Sequence, residues 1–172
     1  MKKTSTPKAT AKTSASAHPL EGQPAPDFEL PDAQGHPIKL SSLIRKGNLV
    51  VYFYPKDMTP GCTTEACDFR DNLGRVKAAG AQVVGISTDS SQSHDKFTAK
   101  YELNFPLLAD PDKRISNAYS VYKKKSLYGR EFMGIERTTF VVDRKGIIRK
   151  VFPKVKVAGH ADAVIDALKE LS

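Results

Sequence analysis

Residues 48–54, Asn-Leu-Val-Val-Tyr-Phe-Tyr, form a nearly unbroken apolar, β-branched and aromatic run, and Pro55 stops it. Such a run suits a strand buried on both faces of a sheet. Proline fixes φ and removes a backbone donor, so the strand ends there. A short turn, Lys56-Asp57-Met58-Thr59-Pro60-Gly61, leads to Cys62, and from Cys62 onward the apolar residues recur at helical spacing. Strand, tight turn and helix in that order place the Cys62 thiol at a helix N-terminus. Free backbone N–H groups and the macrodipole favour an anion at that position.

The remaining segments assemble around this unit. Cys62, Ala66, Phe69, Leu73, Val76 and Ala79 predict one helix over residues 62–79, with Gly80 as its stop. Residues 82–87 and 106–109 read as strands, 92–101 as a helix and 115–119 as one or two helical turns. Residues 138–142 and 147–152 read as a hairpin closed by Asp143-Arg144-Lys145-Gly146. A last helix covers 161–171, with Val164, Ile165, Leu168 and Leu171 on one face. Upstream, Phe28 and Leu30 alternate towards Ile38 and Leu40 around Asp32-Ala33-Gln34-Gly35, a small hairpin. Ser41-Ser42 is read as the cap of a short helix ending near Gly47. Strands alternating with helices require a parallel portion, and the late hairpin adds antiparallel partners. The expected fold is α/β and resembles thioredoxin: a central mixed sheet flanked by helices, with an N-terminal β-hairpin.

The net charge of +8 over 172 residues divides unevenly. Lys2, Lys3, Lys8 and Lys12 supply half of it, and residues 1–19 contain no acidic side chain. That segment has too little apolar surface to offset ordering entropy. The reading is a disordered basic tail over 1–19 and one domain over 20–172. No stretch approaches the roughly 18–20 apolar residues of a membrane span, and the first residues lack the apolar core of a secretory signal. Two cysteines are too few for a disulfide framework, so a reducing, cytoplasmic setting is expected. Lys123-Lys124-Lys125 beside Tyr122 and Tyr128 is the best basic patch, read as a solvated loop, and nucleic acid is not an expected partner.

Reduction of a peroxide needs a thiolate to attack the O–O bond, a cation or dipoles for the developing charge, and a small polar group to orient the substrate. An ordinary thiol is only roughly 3% ionised at neutral pH, and helix starts and nearby Arg change that. Thr59, three residues before Cys62, offers a hydroxyl that both donates and accepts. Pro55 and Pro60 stiffen the turn. Arg137, in Gly134-Ile135-Glu136-Arg137-Thr138-Thr139-Phe140, stands at the entrance to a strand expected beside the 48–54 strand. Its planar, permanently charged fork suits an anion, although spacing alone also fits an exposed strand-end arginine. Glu65, three residues past Cys62, suits the helix dipole yet opposes a thiolate. Solvent, Arg137 or a backbone N–H are its open destinations.

Pro55, Thr59 and Cys62, as Pro-x-x-x-Thr-x-x-Cys, resemble the active-site loop of the peroxiredoxins. The second cysteine in Gly-Cys-Thr-Thr-Glu-Ala-Cys resembles the bacterioferritin comigratory protein (PrxQ) subfamily, and the similarity extends over about residues 20–171. The resemblance implies Cys62 as peroxidatic cysteine, Cys67 as resolving cysteine, Thr59 as orienting hydroxyl, Pro55 as shield of the pocket and Arg137 as anion-stabilising arginine. It also implies hydroperoxide substrates, a thioredoxin or glutaredoxin-like reductant, and no cofactor or metal. With both cysteines in one segment, a monomer suffices for turnover.

Geometry adds one consequence. Cα atoms five apart on an ideal helix lie about 8.6 Å apart, and disulfides seldom tolerate more than about 7 Å. A Cys62–Cys67 disulfide therefore requires the helix between them to unwind. Buried structural cysteines and a thioredoxin-like oxidoreductase are the competing readings. The second is weakened by a four-residue gap where two is usual. His18, His36, His94 and His160 are scattered without ligand spacing to the cysteines and read as surface histidines.

Overall fold

A computed structural model describes residues 18–171. The basic tail expected over residues 1–19 lies outside the described residues except for its last two. Of these, His18 sets its ring edge-on against Phe140, 5.4 Å between centroids.

The chain opens with an antiparallel hairpin of β1 (Glu29–Pro31) and β2 (Pro37–Lys39), Leu30 opposite Ile38. Asp32 Oδ1 closes its turn by accepting the N–H groups of Gln34 and His36, each at 2.9 Å. α1 (Leu40–Arg45) follows at once, capped by Lys39 without a side-chain hydrogen bond. The expected serine cap is thereby corrected: Ser41 and Ser42 lie inside the first turn. Leu40 N–H donates to Phe28 O at 3.0 Å, and burial of Leu40 and Leu43 sets the start.

Next come β3 (Asn48–Phe53), α2 (Pro60–Asp71), α3 (Leu73–Ala78), β4 (Ala81–Ser87), α4 (Ser91–Tyr101), β5 (Leu107–Ala109) and α5 (Arg114–Ala118). They lead to β6 (Tyr122–Leu127), β7 (Arg130–Ile135), β8 (Thr138–Val142), β9 (Ile148–Phe152) and α6 (His160–Lys169). Five strands form one sheet in the order β5-β4-β3-β8-β9, with β3 at its centre. β3 runs parallel to β4 and antiparallel to β8, and Phe53 pairs with Thr138. This is the expected mixed α/β architecture with its N-terminal hairpin.

Two further expectations need correction. The helix expected over 62–79 breaks at Asn72, at φ −106° and ψ 9°. The Asn72 amide donates to Asp68 O at 2.8 Å, competing with the backbone N–H that reaches the same carbonyl at 3.0 Å. Local side-chain bonds of this kind are why asparagine tends to end helices. The basic segment read as a solvated loop is a hairpin, β6 paired with β7 in antiparallel register. Its two-residue turn, Tyr128-Gly129, has φ of 53° and 77°, the primed geometry that matches strand twist. Exposed lysines carry no alternation of apolar residues, so the strand left no hydrophobic signature.

Alternation along β3 divides the core. Val50, Tyr52 and Tyr54 face α2, α3, α4 and α6, packing with Phe69, Val76, Phe97 and Val164. Leu49, Val51 and Phe53 face α1, α5 and the N-terminal hairpin, packing with Leu43, Ile115 and Phe28. The Tyr52 ring stacks on Phe69 at 4.9 Å and lies over Gly85 of the neighbouring strand. A Cβ at Gly85 would sit 2.8 Å from Tyr52 Cζ and 2.9 Å from Leu107 Cδ2. Gly85→Ala should therefore destabilise the fold by about 1–3 kcal/mol in urea unfolding, as overpacked cores do. Unchanged stability would show that the ring is free to move aside.

Candidate active site

The site is built where β3 runs out. Half-buried Pro55 follows the strand, Met58 takes a left-handed φ of 69°, and Thr59 at φ −79°, ψ 154° occupies the cap position of α2. Pro60 stands at the first helical position, where no N–H is needed. The Thr59 hydroxyl does not cap the helix; it donates across the turn to Lys56 O at 2.8 Å, leaving its lone pairs free to accept. Thr63 N–H makes the first helical bond, to Thr59 O at 2.9 Å. The N–H groups of Gly61 and Cys62 precede that bond and are therefore without helical partners. Cys62 lies in this first turn, 1% exposed, as a free thiol.

Arg137 arrives from the other side of the sheet centre. Because Phe53 pairs with Thr138, the residue just before β8 reaches the end of β3. Its Nη2 donates to Cys62 Sγ at 3.3 Å and its Nη1 to Glu65 Oε1 at 2.6 Å. Of the three destinations open to Glu65, the structure takes Arg137. A Cβ on Gly61 would stand 3.2 Å from Arg137 Nη2, so the glycine keeps the approach to sulfur open.

The electrostatics of this cluster follow from burial. Burial pushes the Glu65 carboxyl up to about 7, against the pull of the Arg137 charge and hydrogen bond. Glu65 Oε2 and the Tyr52 hydroxyl are buried and find no hydrogen-bond partner among the described residues. The Tyr52 phenol is held well above its ordinary range by burial, then by Glu65 and Cys62. Burial pulls Arg137 down, and Glu65 and Cys62 outweigh it, leaving the guanidinium above its usual value. His160 places Nε2 at 2.8 Å from Thr139 Oγ1, and burial, followed by the Arg137 charge, lowers it to about 4.

The structure thus brings Cys62 and Arg137 into contact and sets Thr59 and Pro55 on the turn leading to them. Cys67 stands apart, half-buried and free, five residues on within the unbroken α2. The surface reading of the histidines holds for His36, whose side chain is 76% exposed. It fails for His94 and His160, both buried, and His18 is half-buried. Sequence reasoning also passed over Asp57, a buried acid in a turn, because its partner His94 lies 37 positions away.

Glu65 and His160 give stability opposite dependences on pH. A carboxyl near 7 in the fold and 4.5 in the unfolded chain contributes fully below 4.5 and loses that contribution as pH rises through about 7. His160, about 4 against 6.5, contributes fully above 6.5 and loses its contribution as pH falls towards 4. The unfolding free energy of the native protein minus that of Glu65→Gln isolates the first effect. It should fall between pH 4.5 and 7, and a flat difference would contradict a buried, desolvated carboxyl.

Comparison with known proteins agrees with this geometry. The AhpC/TSA family profile matches residues 21–151. Peroxiredoxin Bcp of Bacillus subtilis is 47% identical over 152 residues, covering 88% of this chain and 96% of that protein. Peroxiredoxin Bcp of Escherichia coli is 43% identical over 154 residues, covering 89% and 98%. Among solved structures, peroxidoxin BcpB of Mycobacterium tuberculosis superposes with a TM-score of 0.81 at 38% identity, covering 90% and 99%. The bacterioferritin comigratory protein of Xanthomonas campestris, solved in a study of its alkyl peroxide reduction, gives 0.79 at 45% identity, covering 84% and 90%. Identity at this level, spread over nearly the whole domain and joined to the same fold, shows that the chain belongs to the AhpC/TSA family, among its Bcp (PrxQ) peroxiredoxins.

Proposed function

We propose that the chain is a thiol peroxidase in which Cys62 is the peroxidatic and Cys67 the resolving cysteine, acting on hydrogen peroxide and organic hydroperoxides. The observation that carries this reading is the Arg137 Nη2–Cys62 Sγ contact of 3.3 Å at the first turn of a helix. A thiolate there is met by a permanent cation and by two free backbone N–H groups. It attacks one peroxide oxygen: the S–O bond forms, the O–O bond breaks, and hydroxide or alkoxide leaves and takes up a proton. The Cys62 sulfenic acid that results is then attacked by the Cys67 sulfur. An S–S bond forms, and the sulfenic oxygen departs as water with the thiol proton.

The other roles are consistent with this sequence of events. Arg137 Nη2 is placed to donate to the departing oxygen as well as to sulfur. Thr59, with its hydrogen committed to Lys56 O, has lone pairs for the peroxide O–H, and Pro55 limits water at the turn. A dithiol protein, thioredoxin or a glutaredoxin-like reductant, would return the disulfide to two thiols in the cytoplasm. Both cysteines belong to one chain, so a monomer of residues 20–172 contains every group the cycle needs.

Intact mass tests the assignment. After one equivalent of hydrogen peroxide the reduced protein should lose two hydrogens, whereas Cys67→Ser should gain one oxygen. Cys62→Ser should do neither. Consumption of peroxide by Cys62→Ser at the native rate would show that the nucleophile is another group.

A further inference from the structure

Asp57 is 4% exposed although it lies in a turn. Its Oδ1 accepts from the Tyr54 hydroxyl at 2.6 Å, and its Oδ2 accepts from the Ser93 hydroxyl at 2.7 Å and faces His94 Nδ1 at 2.8 Å. The Asp57 N–H donates to Asp89 Oδ2 at 2.8 Å, an oxygen that also accepts from Ser87 Oγ at 2.7 Å. His94 is fully buried, and its other nitrogen, Nε2, faces Leu108 O at 3.0 Å. A carboxylate and a carbonyl only accept, so the ring satisfies both when each nitrogen carries a hydrogen. Burial pushes the Asp57 carboxyl up, and the His94 bond and charge, with Tyr54 and Ser93, outweigh it and hold it below its ordinary range.

This network ties the end of β3, the end of β4, the first turn of α4 and β5 to one turn. The next residue in that turn, Met58, holds a left-handed φ of 69° that a long side chain seldom adopts. Such a conformation persists only where the surroundings over-determine it. Thr59 comes next, its hydroxyl bonded back to Lys56 O across the same turn.

We infer that the hydrogen-bonded His94–Asp57 pair positions the peroxide-binding turn, fixing Thr59 and Pro55 against Cys62. The inference rests on the peroxidase reading above. His94 and Asp57 act through the turn, while the electrostatics at sulfur belong to Arg137 and the helix start. Peroxide attack, which needs the oriented substrate, should therefore depend on His94. Alkylation of the same sulfur by iodoacetamide, which needs no such orientation, should not.

Two amide replacements separate the ring nitrogens. In His94→Asn the amide nitrogen stands near the Nδ1 position and keeps a donor for Asp57. In His94→Gln it stands near Nε2, keeps the Leu108 carbonyl and deprives Asp57. Both are measured in a Cys67→Ser background by stopped-flow oxidation of Cys62 with hydrogen peroxide and by iodoacetamide alkylation. His94→Gln should slow oxidation on the order of tenfold, as displaced orienting groups do, with alkylation near the Cys67→Ser control. His94→Asn should recover most of the loss. Control-like oxidation in His94→Gln, or an equal fall of both rates in both variants, would overturn the inference. If His94→Gln does not fold, Ser93→Ala removes one donor from the same Asp57 oxygen and is read in the same way. Failure of the control itself to oxidise at Cys62 would instead count against the peroxidase reading, so the two failures are distinguishable.

Discussion

Arg137 holds two acceptors at once, and both belong to the first turns of α2. Cys62 and Glu65 are three residues apart, the spacing that puts side chains on one helical face. The fork fits them together, Nη2 on sulfur at 3.3 Å and Nη1 on the carboxylate at 2.6 Å, only while that turn is helical. Buried charges of this kind gain little from water and depend on their partners. The Cys62 sulfur, the buried acid and the cation are thus one object, and the helix is its frame.

The rest of the fold supplies that frame and its limits. The register of β3 with β8 delivers Arg137, and Gly61 leaves space for its tip. Beyond the first turns, α2 is fastened differently. Phe69 stacks on Tyr52, Arg70 Nη1 donates to Tyr101 O at 2.6 Å, and Asn104 Nδ2 donates to Arg70 O at 3.3 Å. These contacts tie the far half of the helix to the sheet and to the end of α4. The near half has the Arg137 clamp, whose Glu65 partner is buried and, among the described residues, has no bond for Oε2. A helix fastened along its far half to the sheet and held at its start by the Arg137 clamp is suited to open from its start, which a Cys62–Cys67 disulfide requires.

Much of this was legible in the chain. β3 declared itself because it is apolar on both faces, and the helix after the turn followed from the spacing of Cys62, Ala66 and Phe69, although it begins at Pro60, two residues before the expected start. What was lost has a common physical cause. The β6–β7 hairpin is stabilised by backbone pairing beneath exposed lysines, so period-two hydrophobicity never appears. Asn72 ends α2 through a side-chain bond that apolar spacing does not register. Asp57, His94 and His160 are buried because distant polar partners satisfy them, and single-chain spacing cannot join residues 37 or 21 positions apart. Glu65 stood as an open choice in the sequence, because burial, dipole and thiolate pull it in different directions, and only the approach of Arg137 decides among them.

On this geometry the site exists only while the start of α2 is helical, and a Cys62–Cys67 disulfide would dissolve it. Hydrogen exchange of the dithiol and disulfide forms tests this directly. Amides over residues 61–68 should exchange markedly faster in the disulfide form, while those of residues 50–54 stay slow in both. Equal protection of residues 61–68 in the two forms would show that the helix start survives disulfide formation.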